Sequence, residues 1–290
     1  MERFIVTGAN GYVGRKVMRA LGEEGLTAIG FDVHNAEVNC DLSREFPFPV
    51  DSSYQNTHLI HLAAKLPGSE SRNSLLNHSS QVSKNLLKWA DSFDRSLVVS
   101  STAVYKTQLN NNGSFEIGPW EAYGQAKLQM EKDFSSHSQK LTILRPGTIL
   151  GPDRTGGIVD LLNSASKGKF VMLPRKGNVT HPFVHVDDVV ASILRWAKAE
   201  LADSLGVKTL IAHNPKSLFD AVFELSGIEI QTPKIPDAMF RILGSDNVPL
   251  FGISKWHLGA LLYDVQGFSN KEEKLTYSMV DTIRSALTSA

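Results

Sequence analysis

Tyr123 and Lys127 stand four positions apart in Tyr123-Gly-Gln-Ala-Lys127. On a helix that spacing puts both side chains on one face. An ammonium beside a phenol favours the phenolate and shifts the tyrosine towards proton transfer near neutral pH. The lysine is also placed to bond a cofactor ribose. The same five residues suit a surface Tyr–Lys pair, so the pattern needs partners. Ser100, Ser101 and Thr102 close the run Ser96-Leu-Val-Val-Ser-Ser101, which reads as a strand. A hydroxyl there can hydrogen-bond a substrate oxygen and stabilise charge as a carbonyl forms or is reduced. Strand-end serines are also ordinary turn formers.

Phosphate chemistry is suggested at the start of the chain. Phe4-Ile-Val6 suits a buried strand, glycines follow at 8, 11 and 14, and Val17, Met18 and Leu21 recur at helical spacing. In such a strand–turn–helix unit Gly8 takes the turn and Gly11 lets backbone amides approach a pyrophosphate. Gly14 lets the helix lie close on the strand, and the helix N-terminus favours negative charge. The spacing is G-x-x-G-x-x-G rather than G-x-G-x-x-G, and alone it also suits a simple turn. Asp32 ends the next run, Leu26 to Asp32, 18 residues beyond Gly14. A carboxylate at roughly that offset accepts from an adenosine ribose 2′-hydroxyl and repels a 2′-phosphate, favouring NAD over NADP. Asp41 and Leu42, after the short strand Glu37–Cys40, are placed to flank an adenine.

These residues need elements to hold them. His58 to Ala64 reads as a fourth strand, and its small residues at the end permit close approach of a ligand. A helix runs to about Ser92, another from Trp120 to about His137, and Leu141–Arg145 is a sixth strand. Residues 43–56 read as a loop. Strands alternating with helices predict an α/β fold with a doubly wound parallel sheet and ligands outside the strands' carboxyl ends. Beyond Pro146 the alternation loosens. Expected there are helices near 158–167 and 187–199, a short strand near 170–173, and Lys208–His213 as a strand that could extend the sheet. Residues 233–270 read as short pieces, and a terminal helix is expected over about 271–288. The predicted division is a dinucleotide-binding domain over 1–146, with 183–213 returning to it, and a smaller interwoven substrate-binding lobe over 147–290.

Composition narrows the classes. Lys+Arg and Asp+Glu number 30 each, so nothing points to nucleic acid or an anionic membrane. Cys40 is the only cysteine, which excludes an internal disulfide and any cysteine-built metal site. No metal is expected. No apolar run approaches a membrane span, and the chain enters a strand at once, so a cytoplasmic location is expected.

Read together and in order, the motifs carry a resemblance. Thr7-Gly-Ala-Asn-Gly-Tyr-Val-Gly14, Asp32, Asp41-Leu42, His61-Leu-Ala-Ala64, Ser100-Ser-Thr-Ala-Val-Tyr105, Tyr123 to Lys127, Arg145-Pro146, Gly151-Pro152 and Phe183-Val-His-Val-Asp-Asp188 all fall in sequence. The chain resembles the extended short-chain dehydrogenase/reductase family, the NAD-dependent epimerase/dehydratase group, over about two-thirds of its length. The resemblance implies a Rossmann-type domain binding NAD(P), and a catalytic set of Ser101, Tyr123 and Lys127. Cofactor contacts are implied for Gly8, Asn10, Gly11, Tyr12, Val13, Gly14, Asp32, Asp41, Leu42, Leu62, Ala63, Ala64, Ser100, Tyr123, Lys127 and Pro146. Hydride would pass between a substrate carbon and the nicotinamide while Tyr123 moves the hydroxyl proton and Ser101 holds that oxygen. His61 and His185, within apolar segments, read as structural.

Four positions depart from the family's pattern. His181 stands where the nucleotide-sugar enzymes usually have Arg, and Thr148 where they often have Asn. Ser79 replaces an Asn near the cofactor, and Lys106 replaces a Gly. A free sugar, sugar acid or other non-nucleotide small molecule therefore competes well with a nucleotide sugar as substrate. Thr102, Trp120, Thr148 and His181 are candidate substrate contacts, with Met239, Phe240 and Trp256 as further pocket or core residues. The alternative function is a regulatory or sensor protein that binds NAD(P) without turnover, though such relatives typically lose the Tyr or the Lys. The resemblance also suggests a homodimer through the helices near 74–92 and 120–137.

Overall fold

The computed structural model describes residues 2–48, 56–65, 72–106, 114–119, 121–137, 140–169, 171, 179–198, 205–230, 236, 264–265 and 274–287. Six strands alternate with helices as the sequence predicts: β1 (Glu2–Thr7), α1 (Tyr12–Glu23), β2 (Ala28–Asp32), β3 (Val38–Asn39), β4 (Asn56–His61) and α2 (Arg72–Leu87). After them come β5 (Arg95–Val99), α3 (Ala122–Ser135) and β6 (Leu141–Pro146). With β9 (Gly206–Leu210) they form a seven-stranded sheet in the order β3-β2-β1-β4-β5-β6-β9. Every adjacent pair is parallel. The winding reverses between β1 and β4, and the crevice at their carboxyl ends is where such sheets bind ligands.

Both faces of the sheet are covered, which is why its strands read as unbroken apolar runs. Along β1 the side chains alternate. Phe4 and Val6 pack with Val17 and Leu21 of α1, and with Val189, Ile193 and Trp196 of α5 (Val186–Ala197). Ile5 packs on the other face with Val82 and Leu86 of α2, and with Met130 and Phe134 of α3. Phe4, Ile5 and Val6 are fully buried; each contributes about 1.5–3 kcal/mol of transfer free energy.

A second, smaller parallel sheet pairs β7 (Thr148–Leu150) with β8 (Phe183–His185). Around it lie α4 (Gly157–Ser166), α6 (Leu218–Ser226) and α7 (Met279–Leu287). Leu150, Ile158, Leu162, Phe183, Val222 and Ile283 form a core of their own. Asp188 fastens this part to α5: its carboxylate accepts from the amides of Thr276 (2.7 Å) and Tyr277 (3.1 Å). His185 caps α5, its Nδ1 accepting from the Asp187 amide at 3.2 Å, and stacks on Tyr277 with centroids 3.7 Å apart. These contacts give the Phe183–Asp188 motif a structural role.

Several expected boundaries shift. β4 ends at His61, not Ala64. A Cβ on Gly8 would lie 2.7 Å from the Ala63 nitrogen, so the glycine turn occupies the space a longer β4 would need. The terminal helix starts at Met279 rather than near 271, because Ser278 caps it: its hydroxyl accepts from the Asp281 amide and donates to the Asp281 carboxylate. The β7–β8 pair was not anticipated, since three residues carry too little periodicity to read. The expected strand near 170–173 and the pieces over 233–270 lie almost entirely outside the described residues.

Candidate active site

The turn after β1 is built for close approach. Gly8 has φ +72°, a left-handed conformation that favours glycine. A Cβ on Gly14 would sit 2.0 Å from the Gly8 carbonyl oxygen, so α1 can pack here only with glycine. Gly11 is the residue before α1, and the helix's first amides open onto the turn. Asp32 is locked beside it: Oδ2 accepts from the Asn10 amide at 2.9 Å and Oδ1 from the Val33 amide at 2.7 Å. Each oxygen keeps acceptor capacity for a ribose hydroxyl.

A cavity of about 450 Å³ joins this turn to Tyr123 and Lys127. Gly8, Gly11, Asp32, Asp41, Leu42, Leu62, Ala63, Ala64, Tyr123 and Lys127 all line it. The residues present therefore fit a dinucleotide: a cradle that side chains would fill, a fixed carboxylate, and small residues after β4. Two helix faces complete the wall. Leu75, His78, Ser79 and Val82 come from α2, and Tyr123, Ala126, Lys127 and Met130 from α3. Each set follows i, i+3, i+4, i+7, one stripe of a helix. Ser79 alone of the α2 stripe was marked in advance; Leu75, His78, Val82, Ala126 and Met130 were missed as lining residues, although their spacing was visible in the sequence.

Lys127 is buried, and its Nζ donates to the Val99 carbonyl at 2.8 Å, where β5 ends. Burial pushes its ammonium down to about 8, against a smaller rise from Glu131. That nitrogen lies 5.9 Å from the centroid of the Tyr123 ring. Tyr123 keeps part of its surface open to the cavity, yet dense surroundings push its phenol up to about 12. The expected lowering of the phenol by Lys127 is not found. Desolvation dominates, the cation that opposes it is Arg154, and Glu121 adds to the rise. Arg154 also lies over the Tyr12 ring at 5.1 Å, and Tyr12 donates to the Pro152 carbonyl at 3.0 Å. The loop after β7 thus latches onto the start of α1 and brings a guanidinium near Tyr123. No motif marked Arg154 in advance.

The other expected residues lie around the cavity rather than on its wall. Asn10, Tyr12, Val13 and Gly14 form the turn and first turn of α1 behind it. Ser100 is buried, and its hydroxyl has no hydrogen-bond partner among the described residues. Ser101 precedes the 3₁₀ turn Thr102–Val104, and its Oγ accepts from the Ala103 amide at 3.2 Å, leaving its proton to give. Thr102 is buried in that turn, and Pro146 ends β6. His181 and Thr148 meet directly, His181 Nε2 and Thr148 Oγ1 being 2.9 Å apart. Burial pushes His181 down to about 3, so the pair is neutral. His61 is likewise pushed to about 3, by burial and then by Lys127; it bonds Thr7 and stacks on Phe134, which makes it structural. Trp120, Met239, Phe240 and Trp256 lie outside the described residues. Among the described residues no helix is long and apolar enough to cross a membrane.

Known proteins with this architecture can now be set beside it. The UDP-glucose 4-epimerase of Thermus thermophilus, solved with NAD, is 19% identical and superposes with a TM-score of 0.65 over 99% of this chain and 98% of that one. L-threonine dehydrogenase from Phytophthora infestans is 14% identical with a TM-score of 0.71, over 99% and 98%. The UDP-glucuronic acid 4-epimerase of Bacillus cereus, also with NAD, is 17% identical at 0.67, over 99% and 96%. At such identities the likeness is one of fold. A stretch of 111 residues, 36% of this chain, is 30% identical to y4nG of Sinorhizobium fredii (strain NBRC 101917 / NGR234), and spans only 28% of that protein. The model of the NAD dependent epimerase/dehydratase family matches residues 4–205, from β1 to the residue before β9. With that match over most of its length, and a glycine turn, the Asp32 carboxylate and a Tyr–Lys pair on one cavity, the chain belongs to the NAD dependent epimerase/dehydratase family.

Proposed function

We propose that the protein is an NAD-dependent oxidoreductase or epimerase that acts on a secondary alcohol or carbonyl of a polar, sugar-like small molecule, with Tyr123 as acid–base. One observation carries this reading: the cavity lined by Gly8, Gly11 and Asp32 is also lined by Tyr123 and Lys127. NAD bound there supplies a hydride acceptor at its nicotinamide. Asp32 would hold the adenosine ribose, and the α1 N-terminus the pyrophosphate. Tyr123 gives or takes the substrate hydroxyl proton, and Ser101 donates to the same oxygen. Lys127, fixed by Val99, has two further ammonium protons for a ribose hydroxyl and for orienting the phenol.

The substrate class favoured is a sugar or sugar acid without a diphosphate. His181 Nε2 and Thr148 Oγ1 bond to each other and burial keeps the imidazole uncharged, so neither residue offers a diphosphate a cation where the nucleotide-sugar enzymes usually have Arg. The structural relatives named for UDP-sugars set the rival class.

The test is a screen of free sugars, uronic acids and nucleotide sugars, followed by NADH absorbance and by product stereochemistry. Tyr123→Phe should reduce kcat/KM on any substrate found by about 10²–10⁴-fold while NADH still binds. Unchanged turnover in that variant would remove Tyr123 from the chemistry.

A further inference from the structure

Two residues before Tyr123 stands a carboxyl group that the scheme above does not use. Glu121 immediately precedes α3, a position where Ser, Thr, Asp or Asn normally holds the first amides. Its side chain makes no such bond. Oε1 is instead buried, with no hydrogen-bond partner among the described residues. The start of α3 is not free to swing this group out. A Cβ on Gly124 would lie 2.1 Å from the Ala103 carbonyl oxygen and 2.8 Å from Pro119 Cβ, so the helix is seated on the 3₁₀ turn that follows Ser101. Burial alone acts on the carboxyl and pushes it up to about 8; no cation offsets it.

The charges facing Tyr123 come from two elements. Arg154, from the loop after β7, lowers the phenol; Glu121, before α3, raises it. Lys127, on α3 itself, approaches the ring but donates a hydrogen bond to Val99 and is influenced by Glu131. The 3₁₀ turn contributes only Thr102, Ala103 and Val104. Among the described residues Glu121 is thus the one carboxyl acting on the phenol. Two anions in so poorly solvated a place cannot readily coexist, so their protons are linked.

We propose that Glu121 is a positioning residue for Tyr123: as the neutral acid it lets the phenol give up its proton, and once ionised it holds that proton in place. The proposal rests on the acid–base reading of Tyr123. It also accounts for a residue whose side chain does not cap its helix and whose Oε1 finds no partner among the described residues.

The test needs no substrate. The intact protein is labelled with ¹³C at glutamate carboxyls and at tyrosine Cζ, and titrated by NMR. One glutamate should titrate near pH 8, well apart from the rest, and vanish in Glu121→Gln. In that variant the fraction of Tyr123 phenolate at pH 11, assigned with Tyr123→Phe, should rise at least threefold. A Glu121 carboxyl titrating in the ordinary range overturns the proposal in the unaltered protein, even were the Gln variant unable to fold. An unmoved Tyr123 midpoint overturns it too. Turnover of Tyr123→Phe judges the acid–base reading separately: if it persists, that reading fails, whereas uncoupled titrations with turnover abolished would sink only the role of Glu121.

Discussion

Lys127 Nζ donates a hydrogen bond to the carbonyl oxygen of Val99 across 2.8 Å, tying the α3 helix to the end of β5. The bond aims a buried ammonium at the cavity wall from the same helical face as Tyr123. Lys127→Met removes the charge and the hydrogen bond to the Val99 carbonyl. The expectation is a fall in kcat/KM of about 10²-fold or more, together with weaker NAD binding by fluorescence titration. Wild-type turnover in this variant would show that the ammonium is not needed.

Asp32 should set cofactor preference. Its two oxygens are fixed by the Asn10 and Val33 amides, so the carboxylate cannot turn away from an incoming 2′-phosphate. Asp32→Ala should narrow the ratio of NADP to NAD dissociation constants at least tenfold, about 1.4 kcal/mol. An unmodified protein that bound both cofactors equally would refute the argument.

The glycines should separate folding from binding. Gly14→Ala places a Cβ 2.0 Å from a backbone oxygen, whereas Gly11→Ala meets only the Gly8 oxygen at 3.2 Å. Gly14→Ala should cost about 3 kcal/mol or more in urea denaturation. Gly11→Ala should nearly keep its stability and lose NAD affinity. Equal stability losses would mean that Gly11 too is chiefly structural.

Acid should destabilise the fold through two histidines. His61 and His181 are held at about 3 in the native state, against 6.5 as the ordinary value. Their pKa values are depressed by folding, so the stability they confer is fully present above about 6.5. It is lost as pH falls towards 3, because the unfolded chain binds those protons first. At pH 5 each costs about 2 kcal/mol. Denaturation midpoints at pH 7 and 5 measure this, and His181→Phe should flatten its share of the slope.

Much of this was legible because the signals are local. Glycine spacing, a strand-end Asp at the right offset and a helical Tyr–Lys pair each depend on a few neighbouring residues. Unbroken apolar runs likewise located most of the strands from β1 to β6, since a sheet covered on both faces demands them. The end of β4 was less legible, because it is set by the approach of Gly8, more than fifty residues away in sequence.

The sequence by itself determined the order of elements, the parallel sheet and the residue types that a dinucleotide and a proton transfer need. Only the tertiary structure decided their electrostatics. The phenol of Tyr123 sits high, not low, because desolvation in the packed site outweighs a lysine four residues away that is drawn to Val99. Tertiary packing also brought Arg154 to Tyr12, paired Thr148 with His181 and left Glu121 Oε1 without a partner among the described residues. Charge, burial and pairing are properties of three-dimensional neighbours, and no spacing rule along the chain encodes them.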